Sequence, residues 1–393
     1  MTLPTATTGP VELGLGDTPA AGPAWTMGIE EEFLLVGQDN ALPVTPTRSQ
    51  TNSLLGLTAY GGTASPEWLS CQIEHASAIL ETSDTATLAL LTFRQKLRCM
   101  AREFGMIAAP IGTAPRIQEA STVISDQSRY LQMAQLAPAI AADQYINGMH
   151  VHVSVPDPET GVQALNGIRA WLPLLTALGA NSPFWRGRDS GFASWRAIHY
   201  RRWMVNGVPP HLRDFADYQT RVEALLRTDV VADPAGICWL ARLSRCHPTI
   251  EIRACDVQLQ TPDAVVLAAF MRGLVRAAID QQPRKPPEPE LLDAAHWQAA
   301  KFGLGGRLLD PFTGMPGPAE VSIRQALHTA EPYLEDSGDA ELVRSGLERL
   351  LSHGTGAARQ RAAYKKSGLE GVARDAGRAI DLLDLEPERI RPS

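Results

Sequence analysis

Apolar and polar residues follow regular patterns along the chain from about residue 25 onward. Alternation at every second residue predicts β-strands, which we place at Met27–Val36, Met106–Ile111, Tyr145–Val155 and Thr249–Cys255. Apolar residues spaced three and four apart predict helices, which we place at Thr87–Phe104, Gly167–Leu178 and Pro262–Asp280. Strands and helices that alternate in this way predict an α+β fold.

The segments outside these elements differ in composition. Residues 1–23 combine Pro and Gly with low hydrophobicity, so we expect a disordered leader. The proline-rich stretch Gln281–Glu290 should be an exposed connection. From Leu291 to Ile390 the pattern is mostly helical, which fits either a separate lobe or helices packed against the sheet. We expect a single catalytic domain over residues 24–390.

Three of the predicted strands carry chemically active side chains on one face. Because alternate strand residues point to opposite faces, two such side chains in each strand share a face and the residue between them points away. The pairs are Glu30 with Glu32, His150 with His152, and Glu251 with Arg253. The sequence therefore predicts a sheet with one polar face and one apolar face.

A simple alternative is that each pair lies on the solvent face of a half-buried antiparallel strand. Solvent faces usually carry Lys, Thr, Ser and mixed charges, whereas these strands carry Glu, His and Arg. Such side chains suit hard divalent cations and phosphate oxygens. Carboxylates with a single imidazole fit Mg²⁺ or Mn²⁺ better than a structural zinc ion.

A fourth stretch, Pro66–Glu74, adds the carboxylates of Glu67 and Glu74. Their spacing of seven would place them on opposite faces of a regular strand. A bulge or bend between them would be needed to bring both to one metal cluster.

Composition narrows the class of protein. Of 393 residues, 44% are hydrophobic and 20% charged, which is typical of a globular chain. The net charge of −7 gives no general attraction for nucleic acid or anionic membranes. No apolar run approaches the ~20 residues of a membrane helix, and the leader lacks signal-peptide features, so we expect a cytoplasmic protein.

The five cysteines form no CxxC pair, so reduced and mostly buried thiols are expected. Cys255 would share the face of Arg253 if its strand stays regular, but no catalytic role is assigned to it.

At these residues the sequence resembles the glutamate–cysteine ligase family of the second type, which has the glutamine synthetase-like fold. The resemblance rests on MGIEEEF from Met27, on NGMHVHVSV from Asn147, and on SPFWRG, PTIEIRACD and HWQAAKFGL further along. It implies a curved antiparallel sheet with helices packed on its outer face. The active site would lie on the concave face and hold two or three divalent ions between ATP and substrate.

The resemblance also implies individual roles. The residues implied as metal ligands are Glu30, Glu32, Glu67, Glu74, His150 and Glu251. The rule that alternate strand residues share a face independently supports four of these six ligands, and it also supports Arg253. Arg253 would contact the transferred phosphate as the catalytic residue, and Arg242 and Arg245 would bind phosphate beside it. We expect His152 and Arg196 to contact substrate.

The implied activity is an ATP-dependent carboxylate–amine ligase that uses Mg²⁺ or Mn²⁺. Glutamate would be activated as an acyl phosphate and joined through its γ-carboxylate to an amine such as cysteine. A homodimer is a family-level expectation. One alternative is the same chemistry with a different amine. Others are a metal-dependent hydrolase or oxygenase with a facial triad of His150, His152 and one carboxylate, and a sensor that binds nucleotide or glutamate without turnover.

The sequence departs from the family pattern in two places. Gly112–Thr113–Ala114–Pro115 stands where many members carry Gly-Thr-His-Pro, and Tyr200–Arg201–Arg202–Trp203 has an unusual basic and aromatic character. We interpret these departures as a changed pocket wall, which leaves the amine open. Arg242 and Arg245 could also be surface arginines on a loop.

Overall fold

The computed structural model describes residues 25–118, 123–231, 233–280, 287–310 and 312–381. The predicted leader, residues 281–286 of the predicted connection, and the predicted helical end at 382–390 lie outside the described residues.

The described strands are β1 Met27–Gly37, β2 Thr58–Ala59, β3 Gly62–Pro66, β4 Gln72–Ala76, β5 Met106–Ala109, β6 Gly148–Ser154, β7 Phe184–Trp185, β8 Arg188–Asp189, β9 Ala241–Leu243, β10 Thr249–Asp256, β11 Arg307–Leu309 and β12 Pro316–Pro318. The described helices are α1 Arg48–Leu55, α2 Ser83–Glu103, α3 Ser128–Leu136, α4 Pro138–Ala141, α5 Pro158–Ile168, α6 Leu172–Leu178, α7 Trp195–Tyr200, α8 Phe215–Leu226, α9 Thr261–Asp280, α10 Pro289–Phe302, α11 Ala319–Asp336, α12 Ala340–His353 and α13 Gly356–Ala379.

The main sheet is antiparallel and is built around β1. Its strand order is β2-β3-β4-β1-β6-β10-β9, and β5 pairs with the last residues of β1. The four predicted strands all form, with small differences at their ends. Pro110 follows the last residue of β5, where a proline cannot donate to the ladder.

Helices cover the apolar face of this sheet. Met149, Val151 and Val153 of β6 are fully buried in one cluster with residues of α5, α6 and α9. Glu31 points to the same side, where its carboxylate accepts hydrogen bonds from Arg94 of α2 at 2.5 and 3.0 Å. Both side chains are fully buried, so this ion pair compensates for two charges on the helix side of the sheet.

Prolines account for two differences between the predicted and observed helices. The predicted helix Gly167–Leu178 is divided into α5 and α6 by a 3₁₀ turn at Arg169–Trp171, and Pro173 lies in the first turn of α6. Helix α10 begins at Pro289, inside the stretch predicted to be a connection, because proline is tolerated at the first position of a helix.

The C-terminal region is mostly helical, but β11 and β12 form a hairpin within it. Helices α11 and α12 pack against α9, and α10 packs against α6. Helix α13 is broken at Gly368, which has a φ of 66°. The single catalytic domain over 24–390 stays a prediction. No helix in the described ranges is long and apolar enough to cross a membrane.

Candidate active site

A cavity of about 420 Å³ lies over the polar face of the main sheet. Strands β1, β4, β6, β9 and β10 supply much of its floor, and α3, α7 and the loop between β9 and β10 supply walls. The structure brings every site residue predicted from the sequence to this cavity: Glu30, Glu32, Glu67, Glu74, His150, His152, Arg196, Arg242, Arg245, Glu251 and Arg253.

Strand register explains how residues distant in sequence meet here. In antiparallel pairing, Glu32 lies opposite Glu74, and Glu30 lies opposite His150. His152 lies opposite Glu251, which in turn lies opposite Arg242 of the edge strand. Directly opposed residues have Cβ atoms about 4.5–5.5 Å apart, so each row forms a local cluster on the polar face.

The bend required between Glu67 and Glu74 is present, and it is a chain reversal between two strands rather than a bulge within one. The two residues belong to the successive paired strands β3 and β4: Glu67 follows the last residue of β3, and Glu74 lies within β4. The chain reverses between them, so both carboxylates reach the same side of the sheet without a bulge.

The carboxylates and histidines form three groups that could each hold a divalent cation. The groups are Glu30 with His152 and Glu251, Glu30 with Glu74 and His150, and Glu32 with Glu67 and Glu74. Within each group, one ligand atom per residue lies within 4.8 Å of the others. Oxygen ligands 2.0–2.6 Å from an ion allow one cation to reach such a set, so the donors fit Mg²⁺ or Mn²⁺.

In the Glu32–Glu67–Glu74 group, burial and the neighbouring carboxylates disfavour the ionised form of each carboxyl group. Burial raises the pKa of Glu32 to about 7 and that of Glu67 to about 8. Burial, and then the charge of Glu67, raise the pKa of Glu74 well above its usual range. Hydrogen bonds from Tyr130 Oη to Glu67 at 3.2 Å and from Ser65 Oγ to Glu74 at 3.0 Å offset this only in part. A divalent cation would neutralise the group directly.

Glu30 and the two histidines form the centre of the cavity floor. His150 Nδ1 lies 2.9 Å and His152 Nε2 lies 3.2 Å from the carboxylate of Glu30. Burial alone would raise the pKa of Glu30, but the hydrogen bonds with both imidazoles hold it below its usual range. Burial, and then the charge of Arg253, lower the pKa of His150 to about 4, so its imidazole is neutral at pH 7 as a metal ligand must be.

No candidate metal group among the described residues contains both histidines, so none of these groups matches the facial triad of the hydrolase or oxygenase alternative. His152 Nδ1 instead lies 2.9 Å from Thr249 Oγ1. The prediction that His150 rather than His152 binds metal stays a prediction, because each belongs to one group.

Glu251 lies between two arginines. Its carboxylate accepts a hydrogen bond from Arg242 Nε at 2.7 Å and forms an ion pair with Arg253. Burial raises the pKa of Glu251, but the guanidiniums of Arg253 and Arg242 outweigh burial and hold the pKa well below its usual range. Arg253 also donates to Tyr200 Oη at 3.1 Å, and its Nε has no partner among the described residues.

The alternative of surface arginines on a loop is wrong for Arg242, which lies in β9 with its side chain 14% exposed. Arg245 lies in the loop that connects β9 to β10 and is exposed at the rim of the cavity.

Arg196 lies at the start of α7 and reaches over the floor of the cavity. Its guanidinium contacts Gly148 so closely that a Cβ atom there would lie 2.2 Å from Arg196 Nη2. The ring of Tyr200 lies 5.5 Å from the guanidinium carbon. Buried Asp256 orders this region, since it accepts hydrogen bonds from Ser182 Oγ at 2.7 Å and from Ser194 Oγ, the N-cap of α7, at 2.9 Å.

Cys255 does not share the polar face. The pairing of β10 with β6 shifts between Ile252 and Cys255, where β10 has one extra residue that forms a bulge. Beyond the bulge, each side chain of β10 therefore points to the face opposite to the one that a regular strand would give it. Cys255 lies opposite Met149 and its thiol donates to the carbonyl of Leu175 at 3.3 Å on the helix side. Burial raises the pKa of this thiol, in keeping with a structural role.

The cavity is also lined by aromatic residues, which the alternation of side chains along the predicted strands could not identify. Trp68, Tyr130, Tyr200 and Trp203 line the cavity, and two of them belong to the basic and aromatic segment noted in the sequence. Ala114, by contrast, is fully buried and lies outside the cavity wall. The interpretation of Ala114 as a changed wall residue was therefore wrong.

Solved structures show which class of enzyme shares this fold. Glutamate–cysteine ligase from Francisella tularensis, determined in complex with AMP, matches with a TM-score of 0.70 over 92% of this chain and 89% of its own, at 12% identity. A bifunctional glutathione synthetase from Pasteurella multocida gives a TM-score of 0.63 over 91% of this chain and 52% of its own, at 13% identity. The glutamine synthetase-like fold predicted from the sequence is confirmed.

Sequence comparison identifies the family. The profile of glutamate–cysteine ligase family 2 matches residues 26–379. A Nocardia farcinica protein named "Putative glutamate--cysteine ligase 2-1" is 39% identical over 351 residues, 86% of this chain and 88% of its own. A Mycolicibacterium vanbaalenii protein named "Putative glutamate--cysteine ligase 2-2" is 36% identical over 348 residues, 87% of this chain and 94% of its own. The chain belongs to glutamate–cysteine ligase family 2, as predicted.

Proposed function

We propose that this protein is an ATP-dependent ligase that joins the γ-carboxylate of glutamate to an amine through an acyl phosphate. The observation that carries the proposal is a single cavity in which three carboxylate-containing groups lie beside a row of guanidiniums. Family membership supports the ligase class, and the AMP complex of the Francisella enzyme supports an adenine nucleotide as co-substrate.

Amide formation requires activation of the carboxylate, because an amine that attacked the carboxylate directly would have to expel an oxide ion. Transfer of the γ-phosphoryl group of ATP to a carboxylate oxygen releases ADP and forms an acyl phosphate. The amine nitrogen attacks the carbonyl carbon, the bond from this carbon to the phosphate oxygen breaks, and phosphate leaves. The nitrogen releases one proton to solvent. ATP, glutamate and amine thus give ADP, phosphate and a γ-glutamyl amide.

The proposed metal ligands are Glu30, Glu32, Glu67, Glu74, His150 and Glu251. Mg²⁺ or Mn²⁺ held by them would supply charge neutralisation for the phosphates and the carboxylate. The chain's own task is to hold the reacting groups in line within a site where few groups must reorganise.

The arginines are proposed to contact substrates directly. Arg253 presents a planar fork to the phosphoryl oxygens as the catalytic residue, while Arg242 and Arg245 hold the remaining phosphates. Arg196 Nε has no partner among the described residues, and with His152 it is proposed to hold glutamate.

Trapping the acyl phosphate with hydroxylamine tests this proposal without knowledge of the natural amine. With ATP, Mg²⁺, glutamate and hydroxylamine, we expect one γ-glutamyl hydroxamate for each ADP and phosphate, and little ADP when glutamate is omitted. ADP release that does not depend on a carboxylate would contradict the proposal. Hydrolysis that ignores ATP would favour the hydrolase alternative, and nucleotide binding without turnover would favour the sensor. The cytoplasmic location and the homodimer stay predictions.

A further inference from the structure

Tyr200, the last residue of α7, lines the cavity and contacts two of its arginines. Its hydroxyl oxygen accepts a hydrogen bond from Arg253 Nη2 at 3.1 Å. Its ring lies 5.5 Å from the guanidinium carbon of Arg196, within the ~6 Å reach of a cation–π contact. Arg196 and Tyr200 are four residues apart on one helix, so their side chains are neighbours on the surface of α7. One side chain therefore contacts both the arginine proposed for the phosphoryl group and the arginine proposed for glutamate.

The polar partners of Arg196 hold its guanidinium only loosely. Nη1 and Nη2 donate to the main-chain carbonyl of Arg253 at 3.4 and 3.5 Å, and Nη1 lies 3.9 Å from the carboxylate of Asp256. All three distances exceed the usual N–H···O length of about 2.9–3.0 Å. The ring of Tyr200 supplies a contact to the guanidinium that these partners do not.

The fold fixes Tyr200 from both ends of α7. Ser194 caps the start of the helix with its side chain. Two residues past Tyr200, Arg202 pairs with Asp143 at 3.0 Å. The ring of Tyr200 also packs against the buried cluster that contains Trp185. Its hydroxyl and its ring are thus in place before a substrate binds, as a preorganised site requires.

We propose that Tyr200 is a positioning residue for both arginines. Its hydroxyl orients the planar fork of Arg253 toward the phosphoryl group, and its ring orients the guanidinium of Arg196 toward glutamate. Because the two tasks use different parts of one side chain, each can be removed separately. This inference rests on the proposed function, since the roles of Arg253 and Arg196 come from it.

Two variants of Tyr200 separate these tasks in the hydroxylamine assay. Tyr200→Phe removes the hydroxyl and keeps the ring, so kcat should fall by about tenfold or more, as for loss of one hydrogen bond to a charged group, with the KM for glutamate changed less than about twofold. Tyr200→Leu removes both parts, so it should lower kcat to the same extent and also raise the KM for glutamate by about threefold or more. An unchanged kcat in Tyr200→Phe, or the same KM for glutamate in both variants, would overturn the inference.

A double-mutant cycle distinguishes positioning from direct contact between the hydroxyl and a substrate. When Tyr200→Phe is added to Arg253→Lys, kcat should fall by less than about threefold, because the fork that the hydroxyl orients is already absent. A further fall of about tenfold would mean that the hydroxyl acts independently of Arg253, and it would overturn the inference.

Tyr364→Phe is the matched control, because that side chain is 41% exposed and is not among the residues that line the cavity. Its kcat and its KM for glutamate should equal those of the wild type. A fall in kcat as large as that of Tyr200→Phe would show that loss of any tyrosine hydroxyl has this effect, and would contradict the assignment to Tyr200.

The same assay keeps the two proposals distinguishable. Hydroxamate formation by the wild type with an unaltered kcat in Tyr200→Phe would overturn the positioning role alone. Absence of hydroxamate with the wild type would overturn the proposed function, and the role of Tyr200 would fall with it.

Discussion

At the scale of single residues, Arg253 shows how the cavity balances opposite charges. Its guanidinium pairs with Glu251 and donates to Tyr200 Oη, yet its Nε has no partner among the described residues. A group held on two sides with one donor free is preorganised for an anion. The pairing with Glu251 also means that a purely structural role for Arg253 must be tested directly.

Arg253→Lys keeps the charge but loses the planar fork that can hold two oxygens. We expect kcat to fall by ~10²–10³-fold, with the melting temperature and the KM for glutamate nearly unchanged. Steady-state kinetics and melting curves check this, with Arg213→Lys as control because that side chain is 79% exposed and is not among the residues that line the cavity. If kcat fell only a few-fold, the role of Arg253 would be its ion pair with Glu251 rather than phosphoryl transfer.

Glu67→Gln replaces a carboxyl group whose pKa burial raises to about 8. In EDTA at pH 7 the wild-type carboxyl group must take up a proton on folding, whereas the amide needs none, so the melting temperature of the variant should be higher by roughly 1–3 °C. The same variant should gain less stability than the wild type on addition of Mg²⁺, because a ligand for the cation is lost. Melting curves in EDTA and in Mg²⁺ measure both effects, and the exposed Glu335→Gln is the control. Equal stabilisation by Mg²⁺ in Glu67→Gln and wild type would remove this group as a cation site.

At the scale of elements, regular strands were predictable and departures from regularity were not. Period-two alternation in β1, β6 and β10 identified which side chains share a face, because that rule needs only local geometry. The reversal between Glu67 and Glu74 and the bulge before Cys255 depend on pairing with other strands. Such pairing is long-range, so alternation within one segment could not reveal it.

The close approach of α7 to β6 leads to a prediction about Gly148. Gly148→Ala would place a methyl group 2.2 Å from the present position of Arg196 Nη2, so the guanidinium must move. We expect the KM for glutamate to rise by about tenfold or more, as for loss of one charged hydrogen bond, while the strand persists. The control is Gly317→Ala in β12, where nothing lies within 4 Å of the added atom. An unchanged KM would argue against contact between Arg196 and glutamate.

At the scale of the whole molecule, the cavity depends on a sheet assembled from segments between residues 27 and 256. Helices α5, α6 and α9 bury its apolar face and leave the polar face free for chemistry. Motifs spread along this length carry the family resemblance. That resemblance predicted the fold and the site residues that line the cavity. The cluster of Trp68, Tyr130 and Trp203 in the cavity was not predicted, since these rings meet only through tertiary packing.

The central claim is that a carboxylate is activated as an acyl phosphate, and oxygen transfer tests it most directly. Glutamate labelled with ¹⁸O in its γ-carboxylate is incubated with the protein, ATP, Mg²⁺ and hydroxylamine. Mass spectrometry of the released phosphate should find one ¹⁸O atom per molecule, because the carboxylate oxygen that accepts the phosphoryl group leaves with it. Unlabelled phosphate released together with the amide product would contradict the account.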